Sequence, residues 1–267
     1  MAMRPGRYGE RMKVVILVGG KGTRIGEESQ FRPKPMVEVG GRPILWHIMK
    51  WYSGFGFHEF VLCCGYKGHM IKQYFVNYYS RFSDVSINLH SGEKEVLTSK
   101  IEPWKVTLIN TGLYTLTAGR ILKIREYVKD EEFLFTYGDG VSDVNIRELI
   151  ECHRRHGRTA TITVTKPDGR FGAVKIDEPS ECILNFKEKA RSDQSWVNAG
   201  FGVFTPDIFD YLGDGSDMLE GRPFELLAEK QEMTAYRHQG FWSPMDTLRD
   251  KEYLEKLWHS GKAPWKA

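Results

Sequence analysis

The side chains best placed for chemistry in this sequence are Lys21, Arg24, Lys34, Asp139 and Asp246. Each stands where a glycine, a proline or the end of an apolar run would expose it. The first three form one cluster. Val14-Val15-Ile16-Leu17-Val18 leads into Gly19-Gly20-Lys21-Gly22-Thr23-Arg24, and Pro33-Lys34-Pro35 follows. Glycines let a backbone turn tightly and bring its N–H groups against a bulky anion, and the three cations add positive charge. A nucleotide polyphosphate is the simplest ligand for such a loop. Leu17, Val18, Gly19, Gly20, Lys21, Gly22, Thr23, Arg24 and Lys34 are predicted to line it. The plain alternative is a glycine-rich turn carrying solvated lysines.

The acids come later in the chain. Phe133 to Tyr137 is the most strand-like run and ends in Gly138-Asp139-Gly140, which predicts Gly138 and Asp139 in a ligand cleft. A turn capped by its own aspartate is the alternative. Asp246 precedes the last helix, where a carboxylate can serve simply as N-cap. Two carboxylates together with substrate phosphates suit Mg2+, which keeps several waters and rarely takes a full cage of protein ligands. Thr111, Gly112 and Thr115 lie in a small-residue loop that suits a base and ribose, or else forms an ordinary connection. Arg120, just before a helix expected over residues 121–128, could reach a phosphate or stand exposed at the helix start.

Several classes are excluded by the same residues. A Walker loop needs Gly-Lys-Ser/Thr, and the chain has Gly22-Thr23-Arg24 instead. A dinucleotide fingerprint from Gly20 would need glycine at position 25, which is Ile25, and the second strand ends without a ribose-binding acid. Cys63 and Cys64 are adjacent and so point to opposite faces of a strand. With Cys152 and Cys182 they read as reduced thiols of a cytoplasmic protein, with no CxxC metal pair. His153 and His156, a helical turn apart around Arg154 and Arg155, read as a solvated basic face. A net charge of +3 with scattered signs points to neither nucleic acid nor membrane as partner. No apolar run is long enough to span a bilayer.

The elements that must position these groups follow an alternating rhythm. Strands are expected at residues 14–18, 58–64, 105–110 and 133–137, with helices at 43–51, 67–79 and 121–128 between them. That rhythm gives a mostly parallel sheet with helices on both faces, an α/β fold whose ligands sit over the carboxyl ends of the strands. Residues 84–104 interrupt it as an insertion, a candidate contact surface between subunits. A helix at 145–156 and a strand at 159–165 follow. An antiparallel pair comes next, at 173–176 and 182–186, then a strand at 197–204. Residues 1–11 are expected to be a flexible extension. Residues 12–267 are read as one domain with a nucleotide half (12–145), a sugar-phosphate half (146–245) and a C-terminal helix (246–267).

The Gly-Gly-x-Gly-Thr-Arg turn followed by Pro-Lys-Pro resembles the signature of the sugar nucleotidyltransferases. The similarity continues through residues 34–49, 133–140 and 240–250, and is strongest to the branch that uses CTP and glucose 1-phosphate. It implies a Rossmann-like three-layer fold with a small antiparallel sugar-binding part. It also implies transfer of a cytidylyl group with release of pyrophosphate, and a homo-oligomer, expected as a hexamer. By the same resemblance Arg24 and Lys34 are catalytic, Asp139 and Asp246 hold Mg2+, Lys189 binds the sugar phosphate, and Glu188 and Asn198 bind sugar hydroxyls. Ala190 and Ala199 depart from the family pattern, as does Gly221-Arg222, so no sugar contact is assigned at 221–222. A sister enzyme for another nucleotide or sugar, or a silent ligand-sensing subunit, are the alternatives.

Overall fold

The strand before the glycine turn is the axis of the molecule. In the computed structural model, which describes residues 12–22, 31–99, 101–166, 173–177, 180–187 and 196–266, β1 (Val14–Leu17) is buried along its whole length. Alternate side chains of a strand face opposite ways. Val14 and Ile16 therefore enter one hydrophobic core, while Val15 and Leu17 enter another on the far side of the sheet. Two buried faces explain why the run reads as continuously apolar.

In chain order, β2 (Glu38–Val39) and β3 (Arg42–Pro43) form a small hairpin before α1 (Ile44–Gly54), and β4 (Glu59–Cys64) follows. Next come α2 (Gly68–Val76), α3 (Tyr78–Phe82), the hairpin β5 (Ser83–Ile87) and β6 (Lys94–Ser99), and then β7 (Lys105–Asn110). After α4 (Thr117–Leu122) and α5 (Arg125–Val128) lie β8 (Phe133–Tyr137), β9 (Gly140–Ser142), α6 (Ile146–His156) and β10 (Ala160–Thr165). The remainder is β11 (Ala173–Ile176), β12 (Ile183–Lys187), β13 (Val197–Phe204), α7 (Arg222–Glu229), β14 (Met233–Arg237), β15 (Trp242–Pro244) and α8 (Leu248–His259).

Seven strands make the main sheet, ordered β14-β10-β13-β8-β1-β4-β7. The β1 strand pairs in parallel with both β4 and β8, whereas β13 runs antiparallel to β8 and β10. Helices α1, α2, α6 and α8 bury apolar side chains on one face, with Ile48, Tyr74, Leu149 and Leu254 in one core. On the other face, α4, α5 and α7 supply Ile121, Val128 and Phe224. Each such fully buried side chain stabilises the fold by roughly 1.5–3 kcal/mol relative to exposure. The resulting three-layer α/β arrangement matches the expected fold class.

Local details differ from expectation for physical reasons. The helix expected over 67–79 breaks at Asn77 (φ −96°, ψ 14°), where the chain turns to pack Tyr78 and Phe82 against Tyr74. The helix expected from 121 begins at Thr117, which places Arg120 inside it. Residues 83–99 form an exposed hairpin whose connection leaves Leu89 92% exposed. By contrast α6 begins and ends as read: Asn145 accepts from the Arg147 and Glu148 N–H groups, and Gly157 closes the helix at φ 60°.

Candidate nucleotidyl-transfer site

The glycine turn lies at the carboxyl end of β1, beside the end of β8, where Gly138 N–H donates to the Leu17 carbonyl (3.0 Å). Ligands of parallel α/β sheets gather at this edge. Beneath the turn sits Arg120, only 4% exposed. Its Nη1 donates to Thr111 Oγ1 (2.5 Å) and the Gly112 carbonyl (2.9 Å), and its Nη2 donates to the Gly19 carbonyl (3.0 Å). A Cβ on Gly19 would lie 2.2 Å from Nη1, so glycine at this position makes room for the guanidinium.

Arg120 therefore does not stand in the cleft to meet a phosphate, as its place in the sequence allowed. Its hydrogen bonds are spent joining the glycine turn to the 111–112 loop, and burial lowers its pKa. Thr111 is likewise fully buried, and its hydroxyl donates to the Cys64 carbonyl (2.8 Å). Gly112 and Thr115 frame the same loop, whose carbonyl at Thr111 accepts from Lys123 Nζ (2.9 Å). Lys21 Nζ lies 5.0 Å from the exposed Tyr114 ring, so the two loops face each other across the cleft mouth.

Lys34 opens a single helical turn (Lys34–Met36) after Pro33. Its ammonium donates to Asp139 Oδ2 (2.7 Å) and Asp246 Oδ1 (2.5 Å), and its side chain is only 8% exposed. Burial opposes this charge most strongly, yet the attraction and hydrogen bonds of the two carboxylates prevail and raise the lysine pKa. A Cβ on Gly22 would come 2.9 Å from Lys34 Cβ, so the glycine turn lies against this lysine.

The two aspartates meet because β9 and β15 pair, with Gly140 opposite Pro244. Met245 N–H also donates to the Asp139 carbonyl (2.8 Å). The plain alternative for Asp246, N-cap of the last helix, is not the role it takes. Thr247 takes that place in a reciprocal capping box with Asp250, and the Asp246 carboxylate points to Lys34 instead.

Next to Asp139 lies a small cavity of about 80 Å³, lined by Tyr137, Asn198, Gly200 and Trp242 among others. Asn198 Oδ1 accepts from Gly200 N–H (2.8 Å), which fixes its side chain at the cavity wall. Glu220, missed in the sequence, accepts from the Tyr137 hydroxyl and from Thr117 Oγ1 (2.7 Å). It anchors the Tyr137 hydroxyl. Only its acidic type at the edge of a divergent segment could have hinted at this. Thr23, Arg24, Glu188 and Lys189 lie outside the described residues.

His153 is buried, with Nδ1 2.9 Å from Thr161 Oγ1, so 153 and 156 do not form one solvated basic face. Among the described residues, no helix is long and apolar enough to cross a membrane.

The family model "Nucleotidyl transferase" matches residues 13–253. The chain is 51% identical over 256 residues to the glucose-1-phosphate cytidylyltransferase of Salmonella typhi, covering 96% of this chain and 99% of that one. It is 43% identical to the probable glucose-1-phosphate cytidylyltransferase of Bacillus subtilis, with the same coverage. The fold is also that of a UTP-bound UGPase from Acinetobacter baumannii. The TM-score there is 0.75 at 19% identity, covering 95% of this chain and 96% of that one. With the glycine turn, the buried lysine and the paired aspartates at the expected edge of the sheet, the chain belongs to the nucleotidyl transferase family.

Proposed function

We propose that this protein transfers the cytidylyl group of CTP to α-D-glucose 1-phosphate, giving CDP-glucose and pyrophosphate. The observation that carries the reading is Lys34, held by Asp139 and Asp246 beside a glycine turn. The names of the relatives at 51% and 43% identity support the choice of CTP and glucose 1-phosphate.

A phosphate oxygen of the sugar phosphate attacks the α-phosphorus of CTP. A new P–O bond forms as the bond to the β-phosphate bridging oxygen breaks, and that electron pair leaves on pyrophosphate. Such a reaction asks the protein for positioning and charge neutralisation rather than a covalent nucleophile. Lys34 can exchange a carboxylate partner for an α-phosphate oxygen and so neutralise charge as the fifth bond forms. The backbone of Gly19 to Gly22 cradles the outer phosphates, and Arg24 stabilises the departing pyrophosphate. Lys189 holds the incoming sugar phosphate, while Glu188 and Asn198 hold sugar hydroxyls, Asn198 from its place at the wall of the small cavity.

Asp139 and Asp246 suit a divalent cation, Mg2+ in this reading. They are hard oxygen donors, 38% and 23% exposed, and already converge on one positive charge. When bound, it would neutralise negative charge on the reacting phosphates. The reading includes a homo-oligomer, for which the exposed Leu89 and Leu97 of the 83–99 hairpin offer apolar surface; the number six rests on the family resemblance. A cytoplasmic setting is supported by four free, buried cysteines.

The test is pyrophosphate release from CTP, UTP, GTP and ATP with glucose 1-phosphate. CTP should exceed the others in kcat/KM by roughly a hundred-fold or more, as expected when a base edge is read by hydrogen bonds. Equal use of another nucleotide would place the protein among the sister enzymes. No turnover with any of the four would favour a silent sensing subunit.

A further inference from the structure

Away from the cleft, α6 and the turn between β11 and β12 bring together a different set of donors. Cys152 and His156 lie one helical turn apart on α6, and Glu181 reaches them from the turn. One donor atom from each lies within 4.8 Å of the others.

The imidazole is oriented. His156 Nδ1 is 2.9 Å from the Cys152 carbonyl, which can only accept, so Nδ1 carries the hydrogen. That leaves Nε2 facing Glu181 Oε2 at 3.3 Å. A lone pair facing a carboxylate repels it, so the pair needs a positive species between them, either a proton or a metal ion. Cys152 Sγ, which is buried, is the soft donor of the same cluster.

Glu181 is also held in place. Its backbone is left-handed (φ 54°), an uncommon state for a glutamate. Its N–H donates to the Asp177 carbonyl (2.9 Å), and its own carbonyl accepts from Ala235 N–H of β14 (3.2 Å). The strained turn thus points this carboxylate at α6. The exposed Arg155 also approaches Oε2, at 3.7 Å, and interacts with the Cys152 thiol, so an ion bound here would displace its guanidinium.

We propose that Cys152, His156 and Glu181 bind one Zn2+ ion that ties α6 to the turn of the β11–β12 hairpin. Thiolate, imidazole and carboxylate are the donors this ion takes, and three protein ligands leave a fourth position for water. An imidazole whose other nitrogen donates to a backbone carbonyl is oriented as zinc-bound histidines usually are. Binding expels the Cys152 thiol proton to solvent, so no oxidant or reductant is required. The hairpin runs directly toward Glu188 and Lys189 in the sequence, so the tie would brace the arm expected to carry the sugar-phosphate contacts.

The experiment titrates Co2+, then Zn2+, into chelator-treated full-length protein. An Asp139→Asn background serves as a parallel sample, to separate this site from the cleft. One equivalent of Co2+ should give a thiolate-to-cobalt charge-transfer band with the intense visible bands of four-coordinate cobalt, and Zn2+ should bleach both. Cys152→Ser should abolish the charge-transfer band, Cys182→Ser should retain it, and Glu181→Gln should weaken binding by roughly ten-fold or more. If Cys152→Ser does not fold, His156→Gln serves in its place, with binding expected to be lost. Absence of the band in the unmutated protein, or its survival in Cys152→Ser, would overturn the proposal and leave His156 and Glu181 bridged by a proton.

Discussion

Lys34 Nζ and Asp246 Oδ1 lie 2.5 Å apart although 212 residues separate them in the chain. The contact joins the first loop of the fold to the connection between the last strand and the terminal helix, and Asp139 completes it from the middle. A buried ammonium held by two partly exposed carboxylates is a cation site and a source of mobile positive charge in one place. Both properties suit phosphate transfer.

Replacing either carboxylate separates these roles. Asp139→Asn and Asp246→Asn should each lower turnover by on the order of 10³-fold or more. Folding should suffer less, because Lys34 keeps one carboxylate and an amide oxygen. A loss of about 1–2 kcal/mol, or a few degrees in Tm, is expected by calorimetry. Full activity of Asp246→Asn at unchanged metal dependence would contradict the shared site.

Arg120 should behave in the opposite way. Removing it takes one of two donors from the Gly19 carbonyl, which keeps the Tyr66 N–H (3.1 Å). It also leaves the half-buried Gly112 carbonyl and the buried Thr111 hydroxyl short of a partner, and opens a void beneath the glycine turn. Arg120→Ala should therefore cost about 3–5 kcal/mol in denaturant titrations. Arg120→Lys should recover little, because one ammonium cannot reach both loops with the geometry of the guanidinium fork. A variant that is as stable as the parent but binds CTP poorly would restore Arg120 to the phosphate path.

His47 makes stability depend on pH. It is 2% exposed, with Nε2 2.8 Å from the Val39 carbonyl, and it packs edge-on against Trp258. Burial lowers its pKa from the usual 6.5 to about 4, so between those values the unfolded chain binds more protons than the folded one. Stability should be fully present above pH 6.5 and be lost as pH falls toward 4, by up to about 3 kcal/mol from this group. His47→Gln should flatten that part of a Tm-against-pH curve. An unchanged slope would show that other groups set it.

Much of this was legible in the sequence because it is local. The apolar run at 14–18, the glycine turn after it and the acid after β8 each declare themselves within a few residues. The caps of α6, Asn145 and Gly157, do so as well. What was hidden depends on pairs far apart in the chain. Nothing near Arg120 says that Gly19 lacks a side chain so that this guanidinium can fit, because the partners are 101 residues apart. For Asp246 the sequence left a plain helix cap open as the alternative, and only the fold shows the neighbouring Thr247 in that role. Glu220 gains its meaning only when Tyr137 and Thr117 are brought to it.

Arg24 is expected to act on the leaving group more than on ground-state binding, since backbone donors alone can hold a triphosphate. Arg24→Ala should lower kcat on the order of 10³-fold while raising the CTP Kd far less, and Arg24→Lys should recover only part of the loss. Weak CTP binding with normal turnover of bound substrate would make it a ground-state anchor.

The most direct test of the central claim is single-turnover formation of CDP-glucose by Lys34→Met, set beside calorimetric CTP binding to the same protein. With Lys34 delivering charge to the α-phosphate, the chemical step should slow on the order of 10³-fold. CTP affinity should stay within about ten-fold of the parent. A Lys34→Met protein that forms CDP-glucose at the parental rate would contradict the account.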